Sequence, residues 1–156
     1  GDDMAGQEAL LMSPAMYTNY MKPRHKRLFD AQKRLFPQPF FVFFHSDGAI
    51  RNILPDFIEI GVAVLNPVQL TAQGMDADDL KREFGKDLVF WGGGVNTQGS
   101  LPNGTPDEVR ADVRSRVESF RADGGYVFGT VHNVQDDVPA ENAIAMLEAF
   151  RELRDY

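Results

Sequence analysis

Short blocks of continuous apolar residues alternate along this chain with longer amphipathic stretches. Ser13-Pro14 has the form of a helix start, since serine caps a first turn and proline fits inside it. Met16, Tyr20, Leu28, Ala31 and Leu35 then recur with a helical period and predict the inner face of a leading helix. Pro23 should kink or divide that helix, and Pro37-Gln38-Pro39 should end it. Phe40 to Phe44 is a continuous apolar run, the pattern of a strand covered on both faces. It breaks off at His45-Ser46-Asp47-Gly48.

The same alternation repeats three more times. Ile50, Ile53, Leu54, Phe57 and Ile58 are spaced as on a helix, which must start late or bend to accept Pro55 and stops at Gly61. Val62 to Leu65 predicts a second strand, closed by Asn66-Pro67, and Asp76 to Phe84 a short helix with its stop at Gly85. Leu88 to Trp91 predicts a third strand, followed by Gly92-Gly93-Gly94. Thr105-Pro106-Asp107-Glu108 combines a cap, a first-turn proline and two acids at the positive end of a helix dipole. That helix should run to about Ala122 with Val109, Val113, Val117 and Phe120 inward. Gly124-Gly125 breaks it, Tyr126 to Phe128 predicts a fourth strand, and Val138-Pro139 opens a last helix with Ile144, Leu147 and Phe150 inward. A leading helix followed by four strand–helix units predicts an α/β fold with a parallel sheet and right-handed crossovers. No linker or low-complexity tract divides the chain.

Composition narrows the chemistry. The 156 residues include no cysteine, which removes disulfides, thiolate catalysis, iron–sulfur clusters and cysteine zinc sites. The formal charge of −7 disfavours nucleic acid as a partner. One region departs from the mean: Lys22, Arg24, Lys26, Arg27, Lys33 and Arg34 face only Asp30 between Pro14 and Phe36. A solvated helix face or a contact with an anionic ligand or partner would both account for it. His25, within that helix, is expected to be exposed. No apolar run is long enough to span a bilayer, and Gly1-Asp2-Asp3-Met4 lacks the basic-then-apolar pattern of a signal peptide. A cytoplasmic location without membrane contact is the expectation.

In parallel α/β folds, chemistry gathers at the carboxyl ends of the strands. Here the predicted exits carry His45 and Asp47; Asn66 and Gln69; Asn96 and Gln98 beyond the triple glycine; and His132, Asn133 and Gln135. His45 and Asp47, two apart in an extended segment, point to one side, and His132 could approach from the fourth strand. That set suits zinc or another divalent ion with positions open for substrate. Alternatively, Asp47 caps the helix beginning near Ile50 and His45 serves a loop. The triple glycine either admits an anion to the backbone or forms a tight turn, and no nucleotide-binding fingerprint accompanies it. Phe90, Trp91 and the phenylalanine run are expected in the core.

These residues also carry a resemblance. Lys22-Pro23-Arg24, His45-Ser46-Asp47-Gly48, Ile60-Gly61, Leu65-Asn66-Pro67-Val68-Gln69, Thr105 to Val109, Gly124-Gly125-Tyr126, Val131-His132-Asn133 and Pro139-x-Glu141-Asn142 resemble, in order and spacing, the carboxyl-terminal part of the uroporphyrinogen decarboxylase family. Gly1 to Gln7 resembles an internal segment of it. The resemblance implies that residues 1–156 form about half of a (β/α)8 (TIM) barrel. It implies first a cofactor-free decarboxylase of tetrapyrrole or other carboxylate substrates, as in porphyrin biosynthesis, with a zinc-dependent, corrinoid-type methyltransferase as the alternative; a truncated, non-catalytic half-barrel acting as a binding or assembly module is the further alternative.

By the same resemblance, His132 and Asp47 are catalytic positions. His45, Asp47 and His132 are the metal positions, two of them replacing the cysteines of the methyltransferase pattern. Asn66, Gln69, Asn96 and Asn133 are expected to bind substrate. The small-molecule partner is tetrapyrrole-like or a methyl donor. An amino-terminal half, which carries the family's catalytic arginines and early aspartate, or a second copy would be needed to close the barrel.

Overall fold

The computed structural model describes residues 1–36 and 39–154. Its four strands, β1 (Val42–His45), β2 (Val62–Asn66), β3 (Val89–Trp91) and β4 (Tyr126–Val127), form one parallel sheet in sequential order. Helices connect them on one side, as the strand–helix alternation predicts. The leading segment has three parts: α1 (Pro14–Met16), a π-helical turn (Tyr17–Met21) and α2 (Lys22–Leu35). Ser13 caps it, its hydroxyl accepting from the Met16 amide. Pro23 divides it, entering α2 in the first turn immediately after the π-helical turn; proline has no N–H to continue an α-helical ladder there. The expected stop at Pro37-Gln38 lies outside the described residues.

The β1–β2 connection solves its proline similarly. A 3₁₀ turn (Arg51–Ile53) precedes α3 (Leu54–Glu59), which places Pro55 in the first turn. Asp76 caps α4 (Ala77–Phe84), and α6 (Pro106–Arg121) opens with a reciprocal capping box between Thr105 and Glu108. A short α5 (Ser100–Asn103), unmarked by periodicity, precedes it, and α7 (Ala140–Leu153) ends the described fold. One buried cluster joins Phe29, Phe44, Ile53, Phe57, Leu65 and Phe90 between the sheet and the earlier helices. A second joins Leu101, Val109, Val113, Ala145 and Met146 between α5, α6 and α7.

Four expectations about burial are corrected. On α2, the buried residues are His25 and Phe29, whereas Leu28 is 53% exposed, and Met16, Tyr20 and Leu35 also face solvent. His25 is buried at 7% exposure, its ring against Tyr17, Phe29 and Phe44. On α7, Ala145, Met146 and Ala149 point inward, while Ile144 and Leu147 point out and Phe150 is half-buried against Phe128. The sheet is covered on one face only. Val42, Phe44 and Phe90 are buried, while Phe41, Phe43 and Trp91 are exposed.

The physical reason for the last correction is strand alternation in an unclosed sheet. Successive side chains point to opposite faces, so Phe43 and Trp91 share the face away from the helices, their rings 5.4 Å apart. In a closed barrel that face is packed by side chains from the opposite strands. Four strands leave it as an apolar concavity of about 690 Å³ lined by Phe41, Phe43, Val64, Val89 and Trp91.

Candidate functional site

The strand exits assemble around β1 and β2. His45 and Asn66 end these strands and are register partners. The Asn66 Oδ1 lies 2.7 Å from His45 Nδ1, and the Asn66 Nδ2 donates to the Trp91 carbonyl at 3.0 Å. His45 Nε2 lies 3.4 Å from Asp47 Oδ2, so the two residues do share a side, as their spacing predicts. Asp47 makes no cap on the following 3₁₀ turn, whose N-cap, Ile50, has no side-chain hydrogen bond.

A residue that the strand pattern does not single out completes this cluster. The amino-terminal segment runs beside the β1 exit: Asp2 N–H donates to the His45 carbonyl at 3.0 Å and Met4 N–H to Ser46 Oγ at 3.0 Å. Asp3 is thereby brought to His45, with Oδ1 4.0 Å from Nε2, and the same oxygen accepts from the Asp47 amide at 3.1 Å. One ligand atom from each of Asp3, His45 and Asp47 lies within 4.8 Å of the others. The signal for Asp3 was its place in the acidic Gly1–Met4 start, which only the fold connects to His45.

His132 stands apart from this trio. It lines a cleft of about 380 Å³ with Asp47, Gln69, Gln98, Asn133 and Asp137. Gln69 is buried and its Oε1 accepts from Gly48 N–H at 2.8 Å, which fixes the turn after Asp47. Asn96 is committed to its own loop: its side-chain oxygen accepts from Gln98 N–H, and its amide donates to Asp112 at 2.7 Å. Asn133 is exposed on the cleft wall. Thr71, unmarked in sequence, donates to the side chain of Gln98, a cleft residue, at 2.7 Å. Among the described residues, no lysine or arginine lines the cleft.

The triple glycine serves close packing of loops. Gly93 has φ +72°, and a Cβ there would sit 2.5 Å from the Val68 carbonyl oxygen; one on Gly94 would sit 2.4 Å from the Phe128 ring. Gly94 N–H donates to the Gly129 carbonyl at 2.8 Å, so the amide is used within the fold.

The donor chemistry of Asp3, His45 and Asp47 fits a divalent ion. One imidazole nitrogen and two carboxylates suit zinc and harder divalent metals, and three protein ligands leave positions for substrate. His132 lines the cleft that Asp47 also lines, without joining the trio.

Residues 3–153 match the family model described as uroporphyrinogen decarboxylase (URO-D). Uroporphyrinogen decarboxylase of Pseudoalteromonas translucida is 32% identical over 119 residues, covering 68% of this chain and 33% of that protein. The enzyme of the same name from Aliivibrio salmonicida is 32% identical over 95 residues, covering 54% and 26%. The chain thus spans about a third or less of the length of these curated relatives. In structure it is similar to a methyltransferase from Methanosarcina mazei, with TM-score 0.69 and 21% identity, covering 92% of this chain and 39% of that one. That likeness is one of fold, and it places the four-stranded parallel sheet as part of a TIM-barrel-like architecture. No helix among the described residues is long and apolar enough to cross a membrane. The chain belongs to the uroporphyrinogen decarboxylase family.

Proposed function

We propose that this chain forms part of the active site of a metal-dependent enzyme of that family, of the methyl-transfer type, working on a small molecule in the cytoplasm. The observation that carries this reading is the meeting of Asp3, His45 and Asp47 at one point of the strand exits. Those three residues would hold zinc or another divalent ion. Such an ion, when bound, supplies Lewis acidity that makes an oxygen or sulfur acceptor more nucleophilic. His132, which lines the same cleft as Asp47, would bind substrate or move a proton at it. Gln69 keeps the turn bearing Asp47 in position through Gly48, and Asn133 adds a polar group on the same wall. The remaining barrel strands, from an amino-terminal half or a second copy, would cover Phe43 and Trp91 and enclose the substrate.

Metal analysis after exhaustive dialysis tests this. About one equivalent of metal in the wild type, lost in His45→Ala, is the expected result. Equal, near-zero metal in both, before and after exposure to zinc, overturns it.

A decarboxylase-like lyase is the second reading, favoured by the identity to uroporphyrinogen decarboxylases. In it, His132 would protonate or bind a carboxylate substrate. The absence of lysine and arginine from the cleft lining means that this part of the site supplies no cation for a polycarboxylate. Conversion of uroporphyrinogen to coproporphyrinogen by the intact enzyme supports this reading, and its loss in His132→Ala assigns the residue.

A further inference from the structure

Asn66 ties together three strand exits. It ends β2, its register partner His45 ends β1, and the carbonyl it contacts belongs to Trp91 at the end of β3. Its amide orientation is dictated by chemistry. A backbone carbonyl only accepts hydrogen bonds, so the group 3.0 Å from the Trp91 oxygen must be the NH₂. The amide oxygen therefore faces His45 Nδ1, at 2.7 Å. That oxygen also only accepts, so His45 Nδ1 must carry a proton. In a neutral imidazole with Nδ1–H, the other nitrogen is unprotonated.

The unprotonated Nε2 lies 3.4 Å from Asp47 Oδ2 and 4.0 Å from Asp3 Oδ1. Three lone-pair-bearing atoms then meet with no proton among them, an arrangement that a bound cation resolves. Among the neutral forms of the ring, the competing arrangement is the other tautomer. An Nε2–H would donate to Asp47 and satisfy both groups, and the ligand atom would be lost. Asn66 is the group that opposes this, because an Nε2–H tautomer would set the Nδ1 lone pair against the amide oxygen.

We propose that Asn66 is a positioning residue: it holds His45 in the Nδ1–H tautomer and so aims an unprotonated Nε2, with Asp3 and Asp47, at a divalent cation. This rests on the metal reading above and adds Asp3 and Asn66 to it. Partners of this kind on the second nitrogen of a ligating histidine are worth roughly 10–100-fold in metal affinity.

The test uses the full chain, ¹⁵N-labelled and stripped with chelator, at about pH 8, where an ordinary histidine is neutral. Long-range ¹H–¹⁵N correlation reads the protonation of each ring nitrogen, and His45→Gln assigns the signals. The expected wild-type pattern is a protonated Nδ1 and a bare Nε2, with zinc shifting Nε2. In Asn66→Ala the Nε2–H form should appear and zinc affinity, by calorimetry, should fall roughly 10–100-fold. Asn66→Asp keeps an acceptor at Nδ1 but loses the donor to the Trp91 carbonyl; it should retain the Nδ1–H tautomer, which Asn66→Ala does not, at a cost in stability. An Nε2–H wild type, or an Asn66→Ala protein with unchanged tautomer, overturns the proposal. A wild type with the expected tautomer and no zinc response at Nε2 overturns the metal reading and leaves the tautomer assignment standing.

Discussion

Asn142 makes the sharpest energetic prediction. It lies in the first turn of α7 and is 1% exposed. Its NH₂ donates to the Leu101 carbonyl at 2.9 Å and the Gly104 carbonyl at 2.8 Å, at the end of α5, while its Oδ1 is buried without a partner. A four-residue helix leaves its last carbonyls without intrahelical donors, and one side chain supplies two of them. In Asn142→Ala both bonds are lost, at about 1 kcal/mol each, and two carbonyls are left poorly solvated at about 1–3 kcal/mol more. Removal of the unpartnered oxygen returns about 1 kcal/mol. The net expectation is a loss of about 2–4 kcal/mol.

Asn142→Asp keeps the shape and removes both donors, setting oxygen against oxygen, so at neutral pH it should cost more than alanine. The introduced carboxyl has its folded-state pKa raised above the ordinary value of about 3.9. Its penalty is therefore full above the folded pKa and fades as pH falls through it, because the protonated group donates to one carbonyl. Urea titrations followed by far-ultraviolet circular dichroism measure both variants. An alanine variant within about 0.5 kcal/mol of wild type, or an aspartate variant more stable than alanine at neutral pH, refutes the reasoning.

Other sites give further expectations. Burial lowers the His25 pKa, with Asp2 opposing in part. The unfolded chain therefore takes up the proton more readily, and stability should be full above about pH 6.5 and fall as pH drops below it. His25→Gln should flatten that slope in urea midpoints taken between about pH 5 and 8. Asp112 accepts from Asn96 N–H, Ser100 Oγ at 2.6 Å and Arg116 Nε at 2.5 Å, while Arg116 reaches the Gly93 carbonyl. Asp112→Ala should cost about 2–4 kcal/mol and raise amide exchange in residues 93–100, read by mass spectrometry. Thr105→Ala breaks the capping box and should lower stability by about 1 kcal/mol in the same urea titration.

Local chemistry made the elements legible. Ser13 and Thr105 cap the helices they were expected to cap, Asp76, expected as the first residue of its helix, caps it, and Pro23 and Pro55 fall where a missing N–H is tolerated. These signals are read within one turn, so no tertiary contact overrides them. The convergence of His45, Asp47, Asn66 and Gln69 was legible because parallel strands deliver their ends to one side. Asp3 was not, because hydrogen bonds between residues more than forty positions apart bring it to His45. Nor was the burial of His25: polarity alone argues for exposure, and Tyr17, whose hydroxyl lies 3.2 Å from Nδ1, together with Asp2, whose carboxylate lies 3.6 Å from Nε2, makes the ring acceptable inside. The short α5 lacks the length to show a period and is held by Asn142 from the far end of the chain.

The corrected helix faces have a common location. Met16, Tyr20, Leu28 and Leu35 lie on the leading segment, whose α2 packs on β1, the first edge of the sheet; Ile144 and Leu147 lie on α7, which flanks β4, the last edge. Phe43 and Trp91 lie on the open concave face between them. On the closed-barrel reading proposed above, an apolar stripe at the edge of the open sheet would have its contact on an element outside these four strand–helix units. The alternation of β1 and β3, one face buried and one apolar but exposed, would have the same origin, since barrel interiors are filled from opposite strands. On the closed-barrel reading proposed above, these departures are one effect: the sequence pattern describes an eight-stranded environment, and the four strands present leave its seams open. Trp91, 43% exposed, reports directly on that seam, and its emission should move to the blue when the remaining strands cover it.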